Sequence, residues 1–248
     1  MANETFKKQR QDIHNSDVPM VCRACEARHR GICGALSPKQ LTELSKYTAI
    51  KKIKNGTELF ADADRVTTYS NILAGVVKLT KMLADGREQI VGLQFAPDFM
   101  GRPFQSNRSI SAEASGDVLV CSFPKTAIDR LIKDSPNLEH RLLEQTLQEL
   151  DEAREWMVTL GRKSALEKIA SFLLLIAIHY NPEALDEEGP ITFDLPLTRT
   201  DIADYLGTTV ETVSRNLTKL RKEGVIGIED NRHFTIPNLA RLEKRAAL

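Results

Sequence analysis

This chain has no excess of either charge. Its 34 lysines and arginines are matched by 34 aspartates and glutamates, so no overall polycation points to a nucleic acid or a membrane surface. Long apolar runs are missing too. The most apolar stretch, residues 169–178, is about half the length that a membrane span needs. The polar start (Asn3, Glu4, Lys7, Lys8, Gln9, Arg10) contains no apolar signal-peptide core. There is no G-x-G-x-x-G and no P-loop, which removes the common phosphate-cradling fingerprints. The five histidines are scattered without a nucleophile partner, so an enzyme, such as a redox protein, is a weak reading. No internal repeat or low-complexity tract is present. Cysteine is scarce, at four in 248 residues. The expectation is a cytoplasmic protein with no membrane partner, whose thiols act as ligands and not as disulfides.

Scarcity makes the placement of the cysteines informative. Three form a C-x2-C-x7-C segment, Cys22, Cys25 and Cys33, and the fourth is the distant Cys121. Three thiolates at short spacing can wrap a soft metal centre, and a remote fourth can close the shell. On the residues alone, two readings stand level. One is structural zinc on Cys22, Cys25, Cys33 and either His29 or Cys121; the other is an iron–sulfur cluster.

The rest of the chain changes periodicity twice. Residues 1–20 read as a weakly ordered leader, and Ser37-Pro38 opens a short helix with Leu41 and Leu44 on its apolar face. From about Thr48 to Phe123 short apolar runs alternate with turn signals, among them Asn55-Gly56 and Asp85-Gly86. Seven or eight short strands predict a small antiparallel barrel or roll. Helix dominates from Lys125 to about Tyr180. Within it Leu138, Leu142, Thr146, Leu150, Ala153, Met157 and Leu160 form a stripe near the coiled-coil period, which predicts a dimer helix. Leu143 and Leu147 are expected to pack on the roll. The acidic group Glu149, Asp151, Glu152 and Glu155 is expected to act by repulsion between chains, making the dimer marginal. Ser164-x-x-Glu167 reads as a capping box, and 181–189 as a polar loop. Residues 162–248 follow as helix, strand, two helices, two strands and a last helix.

The strongest local signal runs from Leu197 to Leu220. Thr198 caps a short helix with Ile202, Ala203 and Leu206 inward, Gly207 supplies the turn, and a second helix buries Val213, Leu217 and Leu220. That is a helix-turn-helix. Val210, Glu211, Ser214 and Arg215 form another face in the first turns, where a recognition helix meets base edges. Arginine suits guanine and glutamate suits cytosine N4, while Thr218 and Lys219 lie further along and suit phosphates. Thr208-x-x-Glu211 is also a capping box, an alternative duty for the glutamate. Residues 208–224 carry four basic groups against two acidic ones, but 162–248 carry 12 against 13. Binding is therefore expected to depend on direct readout and dimerisation more than on bulk charge. The segments 225–228 and 233–236 predict a two-stranded wing.

From about Leu36 to Ile236 this order of parts resembles the CRP/FNR transcription regulators, and Leu206-Gly207-Thr208-Thr209-Val210-Glu211-Thr212-Val213-Ser214-Arg215 is especially similar to the FNR branch. The resemblance implies an α+β chain in four parts. These are a cysteine-rich segment (1–36), an antiparallel β-roll like a cyclic-nucleotide-binding domain (37–134), a dimerisation helix (135–161) and a winged helix-turn-helix (162–248). With the cysteines, it narrows to the oxygen-sensing FNR proteins and implies a [4Fe–4S] cluster on Cys22, Cys25, Cys33 and Cys121. Oxygen then dismantles the cluster and favours the monomer, while the anaerobic homodimer binds double-stranded DNA at a TTGAT-N4-ATCAA-like palindrome. The alternative is a regulator of the same fold with structural zinc or another effector. Glu211, Ser214 and Arg215 match base-reading positions, Val210 an accompanying apolar contact, and the hairpin at Asp85, Gly86 and Arg87 a surface that touches RNA polymerase. Arg23, Arg28, Arg30 and His29 are placed to offset the cluster's negative charge, and the cysteine loop is expected to pack near the dimer helix. The seven-residue gap between Cys25 and Cys33 is longer than the enterobacterial five. Arg108-Ser109 lacks the Gly-Glu partner of a nucleotide cassette, which disfavours cyclic-nucleotide sensing.

Overall fold

The computed structural model describes residues 17–180 and 189–247. Most of the leader expected at 1–20, and the loop expected at 181–189 apart from Gly189, lie outside the described residues. The chain divides into two compact units. One runs to Val77 and includes Gln94–Gln148; the other comprises Lys78–Leu93 and everything from Glu149.

The first unit opens with two single-turn helices, α1 (Met20–Arg23) and α2 (Glu26–His29), a 3-10 turn (Ile32–Ala35) and α3 (Pro38–Ser45). Ser37 and Gln40 form the reciprocal box that starts α3, with Pro38 in its first turn, and Leu41 and Leu44 go inward. Six strands follow: β1 (Ala49–Ile53), β2 (Glu58–Phe60), β3 (Thr68–Met82), β4 (Glu88–Phe95), β5 (Phe99–Met100) and β6 (Ser111–Pro124). Their sheet has the order β1-β6-β3-β4, with β2 added to β6 and β5 to β3. β1 runs antiparallel to β6 with Ile50 opposite Cys121. The runs expected as separate strands at 70–73 and 76–79 are one strand, because Gly75 (φ +90°) turns the backbone without ending it. A side chain there would bring its first carbon within 2.6 Å of the Asp117 carbonyl.

Helix α4 (Lys125–Asp134) follows β6, and α5 (Pro136–Arg162) begins after Ser135. Here the expected dimer stripe needs correction. Leu138 is 0% exposed within its own chain and shares a core with Ile32, Leu36, Tyr69, Phe123 and Ile128; Leu142 packs against it. Leu138 is therefore not presented to a partner, and Leu142 is half-buried. Leu143 (56% exposed) and Leu147 (52%), expected on the roll, face solvent instead. The exposed apolar row is Leu143, Leu147, Leu150 and Met157, with Arg154 between the last two. Leu150 and Met157 of the expected stripe lie on this row, whereas Leu143 and Leu147 stand one residue, about 100°, round the helix from Leu142 and Thr146. The stripe thus begins in the core at Leu138 and is exposed by Leu150, and periodicity alone does not say where along the helix it leaves the roll. Ala153 is exposed beside the row, whereas Leu160 is half-buried. Glu155 is exposed roughly 120° from the row's centre, and Asp151 pairs with Arg154 at 3.0 Å.

Ser164 and Glu167 form the expected box that restarts the chain as α6 (Ala165–Tyr180). The second unit then adds β7 (Ile191–Asp194), α7 (Arg199–Leu206), α8 (Val210–Lys222), β8 (Gly227–Glu229), β9 (His233–Ile236) and α9 (Leu239–Arg245). Ile169, Phe172, Leu173 and Ile176 of α6 are buried, as are Val213, Leu217 and Leu220 of α8. The small sheet has the order β7-β9-β8, with Phe193 stacked on Phe234. The outer part of the β3–β4 ribbon, assigned from sequence to the roll domain, belongs to this unit. Lys78 Nζ meets Asp201 Oδ1 of α7 at 2.8 Å, with both side chains largely buried, and Gln89 Nε2 donates to the Asp204 carbonyl. Trp156 of α5 stacks on Tyr205 of α7 at 4.5 Å between ring centroids. Among the described residues no helix is long and apolar enough to cross a membrane.

The two faces of α5 should respond differently to truncation. Leu138→Ala should cost roughly 2–5 kcal/mol in denaturant unfolding, whereas Leu143→Ala should stay within about 0.5 kcal/mol.

Candidate functional site

The four cysteines come from separate pieces of the first unit. Cys22 lies in α1, Cys25 immediately before α2, Cys33 in the 3-10 turn, and Cys121 on β6. All are free thiols, and Cys22, Cys33 and Cys121 pack against one hydrophobic core. The long Cys25–Cys33 loop is folded compactly: α2 occupies it, Ala27 is fully buried, and Gly31 sits so close to the Ala27 and Pro97 carbonyls that a side chain's first carbon would be 2.9 Å from each.

The sulfurs share one electrostatic neighbourhood. Burial, the main cause, pushes the Cys33 and Cys121 thiols up to about 12. The Asn71 hydrogen bond opposes this at Cys33; Cys22, Cys25 and Cys121 reinforce it there, and Cys22 and Cys25 do so at Cys121. Cys22 is also raised, by burial first and then by Cys25, with Arg28 pulling the other way. Deprotonating several such thiols together requires a compensating cation, so the donor set fits a soft metal centre that displaces the protons as it binds. No group of three histidine, cysteine, aspartate or glutamate side chains among the described residues is arranged to hold a single metal ion. His29, a ligand in the zinc reading, directs Nε2 at the Arg23 carbonyl at 3.4 Å.

Two neighbours of this site escaped the sequence reading. Asn71 of β3 directs Nδ2 at Cys33 Sγ, 3.2 Å away. Arg141 of α5 donates from Nη2 to the Arg30 carbonyl at 2.6 Å, so the cysteine loop does lie against the long helix. The available signal for Asn71 was its place two residues after Tyr69, at an inward position of a strand where an apolar side chain is expected. Nothing in the sequence marked Arg141.

The second candidate surface is α8. Thr198 and Asp201 form a complete capping box at the start of α7, and Gly207 closes that helix at φ +59°, a conformation that disfavours other residues. The box expected between Thr208 and Glu211 does not form. Thr209 is the N-cap and accepts from the Thr212 N–H, which leaves Glu211 one position too early for that duty. Hydrogen bonds from its own N–H and from the Thr209 hydroxyl hold the Glu211 carboxyl below its ordinary range. Val210, Glu211, Ser214, Arg215 and Lys219 are exposed on the outer side of α8. Thr218 is half-buried and its hydroxyl donates to the Ser214 carbonyl at 2.9 Å, so its proton is engaged within the helix and not offered to a phosphate. At the other end of α8, Arg241 donates to the carbonyls of Glu223 and Gly224.

Two further expectations have definite geometry. Asp85, Gly86 and Arg87 form an exposed turn at the tip of the β3–β4 ribbon, with Gly86 at φ +87° and Arg87 paired to Asp85 at 2.8 Å. Arg108 is engaged by the roll itself: Nη2 donates to the Thr68 carbonyl at 2.8 Å and the guanidinium lies 3.9 Å from the centre of the Phe60 ring.

Residues 50–135 match the cyclic nucleotide-binding domain family, and residues 167–245 match the Crp-like helix-turn-helix domain family. A Rhizobium leguminosarum bv. viciae protein named "Probable transcriptional activator" is 50% identical, over 95% of this chain and 97% of its own. The transcriptional activator protein FnrL of Cereibacter sphaeroides is 40% identical, over 93% and 94%. The solved structure of FixK2 from Bradyrhizobium japonicum superimposes with a TM-score of 0.72 at 29% identity, covering 81% of this chain and 98% of that one. With likeness this high across nearly the whole length, the chain belongs to the CRP/FNR family and is a DNA-binding transcription regulator, not an enzyme.

Proposed function

We propose that this chain is an oxygen-responsive transcriptional activator in which Cys22, Cys25, Cys33 and Cys121 hold a [4Fe–4S] cluster and couple its presence to dimerisation. The observation that carries this reading is the convergence of three of the four cysteines on the core that also receives Leu138 and Leu142 of α5. When bound, the cluster supplies an oxygen-labile centre that requires deprotonated thiols. Ligation pins residues 22–33, and the Arg30 carbonyl then holds Arg141 near the start of α5. Without ligation the thiols keep their protons and the segment loses that anchor. The exposed row Leu143, Leu147, Leu150 and Met157 meets the same row of a second copy, and a few kcal/mol of dimer stability is enough to switch the population.

In the dimer the two α8 helices enter successive major grooves of a TTGAT-N4-ATCAA-like palindrome. Arg215 takes guanine, Glu211 takes cytosine N4, Ser214 adds a permissive contact and Val210 an apolar one, while Lys219, Arg221 and Lys222 approach phosphates. The exposed Asp85-Gly86-Arg87 turn is the surface offered to RNA polymerase. With Arg108 engaged by Thr68 and Phe60, the roll serves as scaffold and not as a nucleotide receptor.

Protein purified without oxygen should carry about four irons per chain and bind the palindrome as a dimer, and air should abolish both. Stoichiometric zinc with binding indifferent to air would leave a regulator and reject the oxygen sensor. Arg215→Ala should weaken palindrome binding by about 1–3 kcal/mol, and the loss should vanish on a site whose guanine is replaced. Leu147→Asp should leave unfolding of the metal-free chain unchanged and yield a monomer by sedimentation under nitrogen; a persistent dimer would show that this row is not the interface.

A further inference from the structure

We propose that Asn71 is a positioning residue for the metal centre: its side-chain amide donates to Cys33 Sγ, fixes that ligand and sets how readily the centre is lost to oxygen. The inference rests on the cluster reading above. Asn71 lies on β3 opposite Phe99 of β5 and is 1% exposed. Nδ2 stands 3.2 Å from Cys33 Sγ, and Oδ1, equally buried, has no hydrogen-bond partner.

A buried amide satisfied on one side only is unfavourable for folding. An apolar residue of the same shape is often neutral or better, because it removes the orphaned acceptor along with the donor. Stability therefore gives no reason for an amide here, on a strand whose inward neighbour Tyr69 belongs to the hydrophobic core. The chemistry of a ligated sulfur does. A metal-bound thiolate is an acceptor with lone pairs to spare, and an amide donor cannot lose its proton near neutral pH. Such a bond restricts the Cys33 side chain to the rotamer aimed at the centre and withdraws electron density from the sulfur. Both effects disfavour removal of electrons and departure of the ligand. Cys33 has little other freedom: its turn is flanked by Gly31 and Gly34, where added side chains would strike the Ala27, Pro97 and Arg28 carbonyls.

The test uses the full chain purified without oxygen, as wild type, Asn71→Leu and Asn71→Ser. In metal-free protein Asn71→Leu should unfold at the same denaturant concentration as wild type or higher, which a purely structural amide would not allow. With the centre loaded, its visible absorption should disappear in air-saturated buffer about ten-fold faster than in wild type, in the range usual for lost outer-shell partners. Its midpoint potential should move negative. If overpacking prevents Asn71→Leu from folding, Asn71→Ser, which adds no bulk and shortens the side chain away from the sulfur, gives the same change in loss rate and potential. Wild-type loss rate and potential in either folded variant would overturn the role of Asn71 while leaving the cluster reading intact. Wild-type protein that binds no iron would overturn both.

Discussion

The burial of Leu138 in the core of the roll, with Leu142 packed against it, is the constraint on which the rest of the first unit depends. That core closes α3 over the sheet, receives three of the four cysteines and fixes the first turns of α5. A change in any of these is felt by the others, because close-packed interiors deform cooperatively and not one side chain at a time. The cysteine segment is short, polar in its turns and weak as a structure by itself. Its position follows from Ala27 and Ile32, both fully buried, and from the crowded glycines Gly31 and Gly34.

Much of the fold was legible because it rests on local rules. Ser37, Ser164 and Thr198 are each followed three residues later by Gln40, Glu167 and Asp201, and each pair starts a helix as the sequence indicates. Gly207 and the inward set Val213, Leu217 and Leu220 are equally plain. Where two local rules competed, the nearest one misled. Thr208 and Thr209 both offer a hydroxyl, and the backbone turns one residue later than the capping pattern suggests. That shift frees Glu211 from the N3 position.

What stayed hidden was tertiary. Periodicity identified α5 as a helix with something to bury, but not where along its length the apolar stripe passes from the core, at Leu138, to solvent, at Leu150 and Met157. Asn71, Arg141, Trp156 and Gln89 act on partners between 38 and 115 residues away in sequence. No short-range pattern encodes such pairings. The cysteines were the exception, because their rarity and spacing carry chemical meaning before any fold is known.

Asp201 occupies two positions in the architecture at once. One carboxylate oxygen completes the box that starts α7, and the other receives Lys78 from the β3–β4 ribbon. Burial raises this carboxyl, but the bonds from Lys78 and Thr198 outweigh it and leave the group ionised more readily than usual. The ribbon and the entry to the helix-turn-helix therefore share a single ionised group. In a genetic screen, substitutions at Lys78 would sort with recognition-helix mutants although Lys78 is not on the recognition helix, and second-site revertants would cluster around Thr198 instead of on α8.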